Sequence, residues 1–272
     1  MDSPGESDKV REAVREHYSK VAALEEPGCA PGCCGPGQQS SLRLGYSEED
    51  LAALPAGADL GLGCGNPQAI ANLKPGDTVV DLGSGAGFDS FLAARKVGPL
   101  GKVIGVDMTP AMVARARENA RRARVDGVEF RLGEIEHLPV ADASVDVILS
   151  NCVINLVPDK DAAFAEAFRV LKRGGRLAIS DVVAIAPLPP ELQEKVAALT
   201  GCISGASSVS ALQAGLLRAG FGTVKIDILR ESREFIRDWM PGSAAEDYIA
   251  SATIEAVKPV DEPCCDPGCC GG

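Results

Sequence analysis

VVDLGSGAGFDS, residues 79–90, is the stretch that decides the fold. An apolar run leads into Gly83, Gly85 and Gly87, and a helical pattern starts directly behind them. Glycines at such a turn let the backbone approach a ligand closely, and the N-terminus of the following helix presents free N–H groups to the same place. Asp81 stands two residues before the first glycine. A second acid, Asp107, ends the next apolar run in VIGVDM, where a ribose hydroxyl needs an acceptor. The glycine spacing differs from the G-x-G-x-x-G of dinucleotide sites. That weighs against a nicotinamide nucleotide, which stays as one alternative beside a purely structural glycine turn.

Outward from that turn, strand and helix alternate. TVVDLG, KVIGVDM, GVEFRLGEIE, VDVILSN and RLAISDVVA read as strands. Between them, FDSFLAARKVG reads as a helix closed by Gly98, and PAMVARARENARRA as one capped by Thr109 and opened by Pro110. DAAFAEAFRVLKRGG reads as a helix ending on its glycine pair. Such alternation with apolar strands means a parallel sheet covered by helices on both faces. FGTVKIDILRE and DYIASATIEAVKP alternate like two further strands, so the expected architecture is α/β, with a doubly wound, mostly parallel sheet of seven strands. Upstream, KVREAVREHYSKVA (9–22) carries Val10, Val14, His17 or Tyr18 and Val21 at helical spacing, and Ser47 with Asp50 caps a short helix in SEEDLAAL. The chain divides into an N-terminal helix with a Cys-rich loop (1–57), a ligand-binding core (58–185), an α-rich insertion (186–220), the last strands (221–258) and a mobile Cys-rich tail (259–272). The insertion is expected over the carboxyl edge of the sheet, with Ser210 capping its second helix.

The 272 residues are 46% hydrophobic, enough for a full core, and the net charge of −11 argues against nucleic acid or an anionic membrane as partner. The first residues, MDSPGESDKV, are polar, and no apolar run approaches the roughly 18 residues of a membrane span. The expectation is a soluble cytoplasmic protein. Ten cysteines are unusual there, because cytosolic thiols stay reduced unless they have catalytic, redox or metal duties. With only two histidines, His17 and His137, the soft donors are almost all sulfur.

Cys64, Cys152 and Cys202 occur singly, each in a loop that the topology brings to the same sheet edge. Any one of them taken alone reads as a small buried hydrophobe. Three together, without histidine, suit a thiophilic centre. Trivalent arsenic takes three sulfurs in a pyramid and keeps a lone pair. That lone pair is already a nucleophile, so methylating it needs no general base, whereas oxygen or carbon methylation normally does.

The ligand segments around Asp81–Gly87, Asp107, LGEIEHLP and Ser150–Asn151 resemble class I S-adenosylmethionine-dependent methyltransferases over roughly residues 65–184. The resemblance implies that the loop with Asp81, Gly83, Ser84, Gly85 and Gly87 holds the methionine part of S-adenosylmethionine. It implies that Asp107 takes the ribose and Met108 flanks the adenine. Gly133, Glu134 and Ile135 would sit at the adenine edge, and Asn151 would also face the cofactor, with Cys152 beside the transferred methyl. LGLGCGNP, SNCVINLVPDK, TGCISGA and SREFIRDWMPG…YIASATIEAVKP look like arsenite methyltransferases over about residues 40–259. By that resemblance Cys64, Cys152 and Cys202 are the arsenic ligands. Cys33 or Cys34 is the thiol that pairs with the first of them during turnover, and thioredoxin or glutathione resets the resulting disulfide. The substrate is arsenite or its thiol conjugates, and the products are mono-, di- and trimethylated arsenic. Leu62 departs from the pattern, since some relatives place a tyrosine before Gly-Cys-Gly. The rival readings are a small-molecule C- or O-methyltransferase and a thiol-rich metalloid-binding protein without catalysis. Cys29 and the CCDPGCC tail fit either arsenite capture or a dispensable metal-binding end.

Overall fold

The computed structural model describes residues 4–23, 37–189, 205–239 and 242–260. Seven strands form one sheet in the order β3-β2-β1-β4-β5-β7-β6. They are β1 (Thr78–Leu82), β2 (Lys102–Asp107), β3 (Val128–Leu132), β4 (Val145–Asn151), β5 (Leu171–Ala184), β6 (Thr223–Leu229) and β7 (Ile249–Val257). The first five run parallel, and β7 is antiparallel to both β5 and β6. Strand sequence rich in Val, Ile and Leu is what burial on both faces demands. Accordingly Val79, Val80, Val147, Ile148 and Leu149 are all fully enclosed.

The helices are α1 (Pro4–Ala23), α2 (Gly37–Arg43), α3 (Glu48–Ala52), α4 (Phe88–Val97), α5 (Pro110–Ala123), α6 (Lys160–Val170), α7 (Val209–Arg218) and α8 (Arg233–Trp239). Ser47 and Asp50 form the expected capping box on α3, and Gly98 terminates α4 with φ 67°. α1 packs along α5, which brings the N-terminal segment over the carboxyl ends of the strands.

Four expectations need correction. α1 begins at Pro4, not near Lys9. α6 stops at Val170: Leu171 is wholly buried opposite Val145, so the sheet captures the chain from residue 171, before the glycine pair is reached. Ser208 rather than Ser210 caps α7, accepting from the Ala211 amide at 3.2 Å. Finally, α7 does not lie over the carboxyl edge. It packs on α6 and β6, with Leu212 and Leu216 inside the main hydrophobic core. Its apolar spacing is that of a layer helix, and residues 190–204 of the expected insertion lie outside the described residues.

Candidate active site

The chain order reverses between β1 and β4, which is where open α/β sheets leave a crevice at the carboxyl ends of their strands. A cleft of about 1130 Å³ opens there, lined by the glycine turn, the ends of β2 and β4, and side chains of α1. Gly83 and Gly85 adopt left-handed φ of 66° and 51°. A methyl group on Gly83 would stand 2.5 Å from Val153, whereas one on Gly85 would meet open space. The turn is thus pressed against the β4 loop on one side and left as an empty cradle on the other.

Asp107 splints that turn. Its Oδ2 accepts from the Gly85 amide at 2.9 Å and its Oδ1 from the Thr109 amide at 2.8 Å. Thr109 occupies the cap of α5 with no side-chain bond to the helix. Beneath the turn, Asp81 accepts from the Ser90 hydroxyl at 2.6 Å. Asp89 accepts from the Tyr46 hydroxyl at 2.9 Å, from Asn151 Nδ2 at 3.1 Å and from Gln68 Nε2 at 3.2 Å. Burial pushes the Asp81 carboxyl well up and neighbouring Asp89 pushes it further. Burial also raises Asp89 and Asp107, against the hydrogen bonds they accept. The Tyr46 phenol goes well up by burial and the Asp89 charge, so it remains a donor at neutral pH. Three crowded, desolvated acids make a floor that attracts a cation.

Two members of this network, Tyr46 and Asp89, were missed by sequence reasoning. Asp89 looks like any acid in the first turn of a helix. Tyr46 lies far away in the chain and only the fold brings it in. It also bears on the departure at Leu62: both residues line the cleft, and Tyr46 supplies a phenol 3.0 Å from Asn151 Nδ2.

Of the residues expected to contact a cofactor, Asp81, Gly83, Ser84, Gly85, Asp107, Met108, Ile135 and Asn151 all line the cleft. Gly87, Gly133 and Glu134 do not. Gly87 caps α4 against Phe91, and Gly133 faces Pro139 while its amide donates to the Asp107 carbonyl at 3.0 Å. Glu134 turns toward α1, where it pairs with Arg15 and lies 3.5 Å from Arg11. Glu136 takes the wall position instead, held by Arg11 at 3.0 Å. The strand ends at Leu132, so residues beyond it follow a turn rather than strand alternation, and that turn sets which acid lines the cleft.

At the far end of the cleft the cysteines meet. Cys64 is 1% exposed and Cys152 6%. Their sulfurs and a carboxylate oxygen of Asp181 all lie within 4.8 Å of one another. β4 and β5 stay paired up to Asn151 and Ser180, and the Cys152 amide still donates to the Ser180 carbonyl at 2.8 Å. There the chain turns, with Cys152 at φ 60°, a conformation that costs a non-glycine residue free energy and clusters at functional sites. Asn151 Oδ1 accepts from the Cys64 amide at 3.1 Å and its Nδ2 donates to the Gly65 carbonyl at 2.9 Å. The Ser251 hydroxyl donates to the Cys64 carbonyl at 2.8 Å. One asparagine therefore joins the acid floor to the loop that carries Cys64. Cys33, Cys34 and Cys202 lie outside the described residues.

S-adenosylmethionine, with its sulfonium and ammonium charges, fits this cleft. The three acids offer the counter-charge, Gly85 leaves room, and the buried Ser84 hydroxyl has no hydrogen-bond partner among the described residues. Sheet order and site together define a class I S-adenosylmethionine-dependent methyltransferase, and residues 73–235 match the methyltransferase domain family. The chain is 53% identical over 263 residues to the arsenite methyltransferase of Halobacterium salinarum, covering 93% of this chain and 67% of that one. The arsenite methyltransferase of Aquipseudomonas alcaligenes is 39% identical over 72% of this chain and 58% of its own length. The crystal structure of an arsenic(III) S-adenosylmethionine methyltransferase from Chlamydomonas reinhardtii superposes with a TM-score of 0.62 at 30% identity, over 84% of this chain and 76% of that one. The chain belongs to the arsenite methyltransferase family. It spans two thirds of the first relative and little more than half of the second.

Proposed function

We propose that this chain moves methyl groups onto trivalent arsenic held by the thiolates of Cys64 and Cys152, with Cys202 expected as a further sulfur. The observation that carries the reading is the meeting of two buried thiols from separate loops at one end of the cofactor cleft, with Cys152 on its wall. Arsenous acid enters by exchange. Each thiol sulfur forms an As–S bond as an As–O bond breaks, and the thiol proton leaves with the hydroxide as water. Arsenic keeps its lone pair, so no side chain has to remove a proton at the reacting atom.

Bound S-adenosylmethionine supplies an electrophilic methyl. The protein's share is placement, which is where most of the acceleration in such transfers originates. Asp81, Asp89 and Asp107 offset the cofactor's positive charge, and Asn151 fixes the Cys64 loop relative to them. Methyl transfer to the lone pair formally oxidises arsenic by two electrons. Two thiols restore the trivalent state and become a disulfide, a duty assigned here to Cys64 with Cys33 or Cys34, and an external thiol such as thioredoxin or glutathione reopens it. That chemistry needs reduced thiols and suits the cytosol, and no described helix is long and apolar enough to cross a membrane.

The test is arsenic speciation after incubating protein, S-adenosylmethionine, arsenite and a thiol reductant. The parent is expected to yield methylated arsenic, and Cys64→Ser and Cys152→Ser to lose conversion of arsenite. Conversion at the parent rate by both variants overturns the thiolate site.

A further inference from the structure

Residues 232–248 give nothing to the wall of the cofactor cleft, yet their rings gather at the thiols. The chain has one tryptophan, three tyrosines and seven phenylalanines. One of each, Phe235, Trp239 and Tyr248, packs against the buried cluster that contains Cys64 and Cys152. Rings that fill a core are enclosed, as Phe91, Phe130, Phe164 and Phe221 are. These three stay half-buried and keep part of their surface open.

Their placement is fixed from several sides. Ser232, wholly enclosed just before α8, accepts from the Ser251 amide at 3.0 Å, and the Ser251 hydroxyl is the donor to the Cys64 carbonyl. The start of α8 is thereby stitched to the loop that carries Cys64. Phe235 and Trp239 stand four residues apart on α8, which makes them neighbours on one helix face. Their ring centroids lie 5.3 Å apart with the planes inclined by 55°. Arg233 pairs with Asp247, and Arg237 with Glu246 at 3.0 Å, tying α8 to the turn that leads into Tyr248.

Methyl transfer moves charge as well as carbon. The carbon–sulfur bond of the sulfonium breaks as the arsenic lone pair forms the As–C bond. The sulfonium becomes a neutral thioether, and arsenic, neutral until then, becomes a cation. Positive charge therefore leaves the floor of Asp81, Asp89 and Asp107 and arrives at the thiols. The acid nearest to them, Asp181, already accepts from the Ile154 and Val182 amides and from Asn155 Nδ2. An aromatic face attracts a cation within about 6 Å of its centroid, and more strongly where water is excluded. It exerts no comparable pull on the neutral arsenic that precedes transfer, and only an interaction stronger in the transition state speeds the step.

We propose that the ring faces of Trp239 and Phe235, with Tyr248 beside them, stabilise the positive charge that develops on arsenic during methyl transfer. The inference rests on the thiolate site proposed above, and the charge is the same with Cys202 as the further sulfur. Reduction by the thiol pair then removes it.

Trp239 is the sole tryptophan, so producing the full chain with mono-, di- and tetrafluorotryptophan alters this one ring and no other. Fluorine withdraws electron density from the ring face and changes its size little. Protein loaded with arsenite is mixed with S-adenosylmethionine, S-adenosylhomocysteine is followed in a single turnover, and arsenite affinity is measured by equilibrium dialysis. The single-turnover rate is expected to fall stepwise with fluorine content, by about tenfold in all, or about 1.4 kcal/mol, while arsenite affinity stays within about twofold. A rate that is flat across the series overturns the proposal. A loss of arsenite affinity equal to the loss of rate overturns it too, because the ring then only shapes the site. Trp239→Phe should keep more of the rate than Trp239→Leu, and the reverse order counts against the aromatic role. The thiolate reading fails separately, if Cys64→Ser and Cys152→Ser bind arsenite as the parent does. A flat series beside two cysteine variants that lose arsenite sinks the aromatic role alone.

Discussion

Gly83→Ala tests whether the cofactor turn and the arsenic loop are mechanically one unit. At φ 66° an alanine costs roughly 1–2 kcal/mol over glycine. Its methyl would also lie 2.5 and 2.6 Å from the two γ-carbons of Val153 and 3.1 Å from its β-carbon. Real side chains do not approach that closely, so either the turn or the Cys152–Val153 loop must move, at about 1–3 kcal/mol for an overpacked site. The sum is roughly 2–5 kcal/mol of stability. Val153→Ala in the same chain removes both offending γ-carbons and leaves only the milder β-carbon contact. The double variant is therefore expected to be more stable than the sum of the singles by about 1–3 kcal/mol, a coupling that only contacting residues show. Urea unfolding followed by circular dichroism, with parent, both singles and the double, measures the cycle. Methylation by Gly83→Ala should fall more than its affinity for S-adenosylhomocysteine, because Cys152 is displaced along with Val153. A coupling near zero, with Gly83→Ala as stable as the parent, refutes the reasoning.

Three other perturbations follow from the same geometry. Asn151→Ala strips partners from the Cys64 amide, the Gly65 carbonyl and Asp89, and should cost roughly 2–4 kcal/mol in urea unfolding, together with slower arsenite methylation; an unchanged midpoint and rate count against the bridge. The buried acids set a pH dependence. Asp81, Asp89 and Asp107 have raised folded values, so above about pH 4 the folded chain holds protons that the unfolded chain has released. The contribution of these three groups to the stability of the ligand-free protein is therefore greatest below that point and declines as pH rises through the folded values, opposite in sign to that of ion-paired carboxylates such as Glu129 and Glu166. Binding the cationic cofactor should expel protons, seen as calorimetric heats that differ between buffers of unequal ionisation enthalpy; identical heats refute it. Arg11→Met leaves the enclosed Glu136 without its partner, at about 1–3 kcal/mol, and should speed amide exchange along α1 and residues 134–137 while leaving β5 protected; uniform protection sinks the idea of α1 as an ion-paired wall.

Part of this molecule is legible without coordinates because the signals are local. The period of the apolar residues separates strands from helices, glycine spacing marks the turn, and the pairing of β4-type strand ends with Cys152 follows from chain order alone. The acids Asp81 and Asp107 are visible because one stands one residue before the end of β1 and the other ends β2. Other features are invisible for an equally physical reason. Glu134 and Glu136 differ by two positions and by one turn of chain, and only packing against Arg11 and Arg15 decides which of them faces the cleft. Leu171 belongs by local pattern to a helix, but the complete burial available beside Val145 outweighs helical propensity.

The sequence by itself determined the sheet of seven strands, the cleft at its carboxyl edge and the soft-donor chemistry, because periodicity, turn glycines and thiol content are properties of short stretches. The tertiary structure decided how the donors are shared. Tyr46, Asp89 and Asn151 meet across more than a hundred residues of chain, and Asp181 reaches the thiols only because β5 lies beside β4. Those contacts depend on strand register and on which side of a turn a side chain falls, and neither is written in any local stretch.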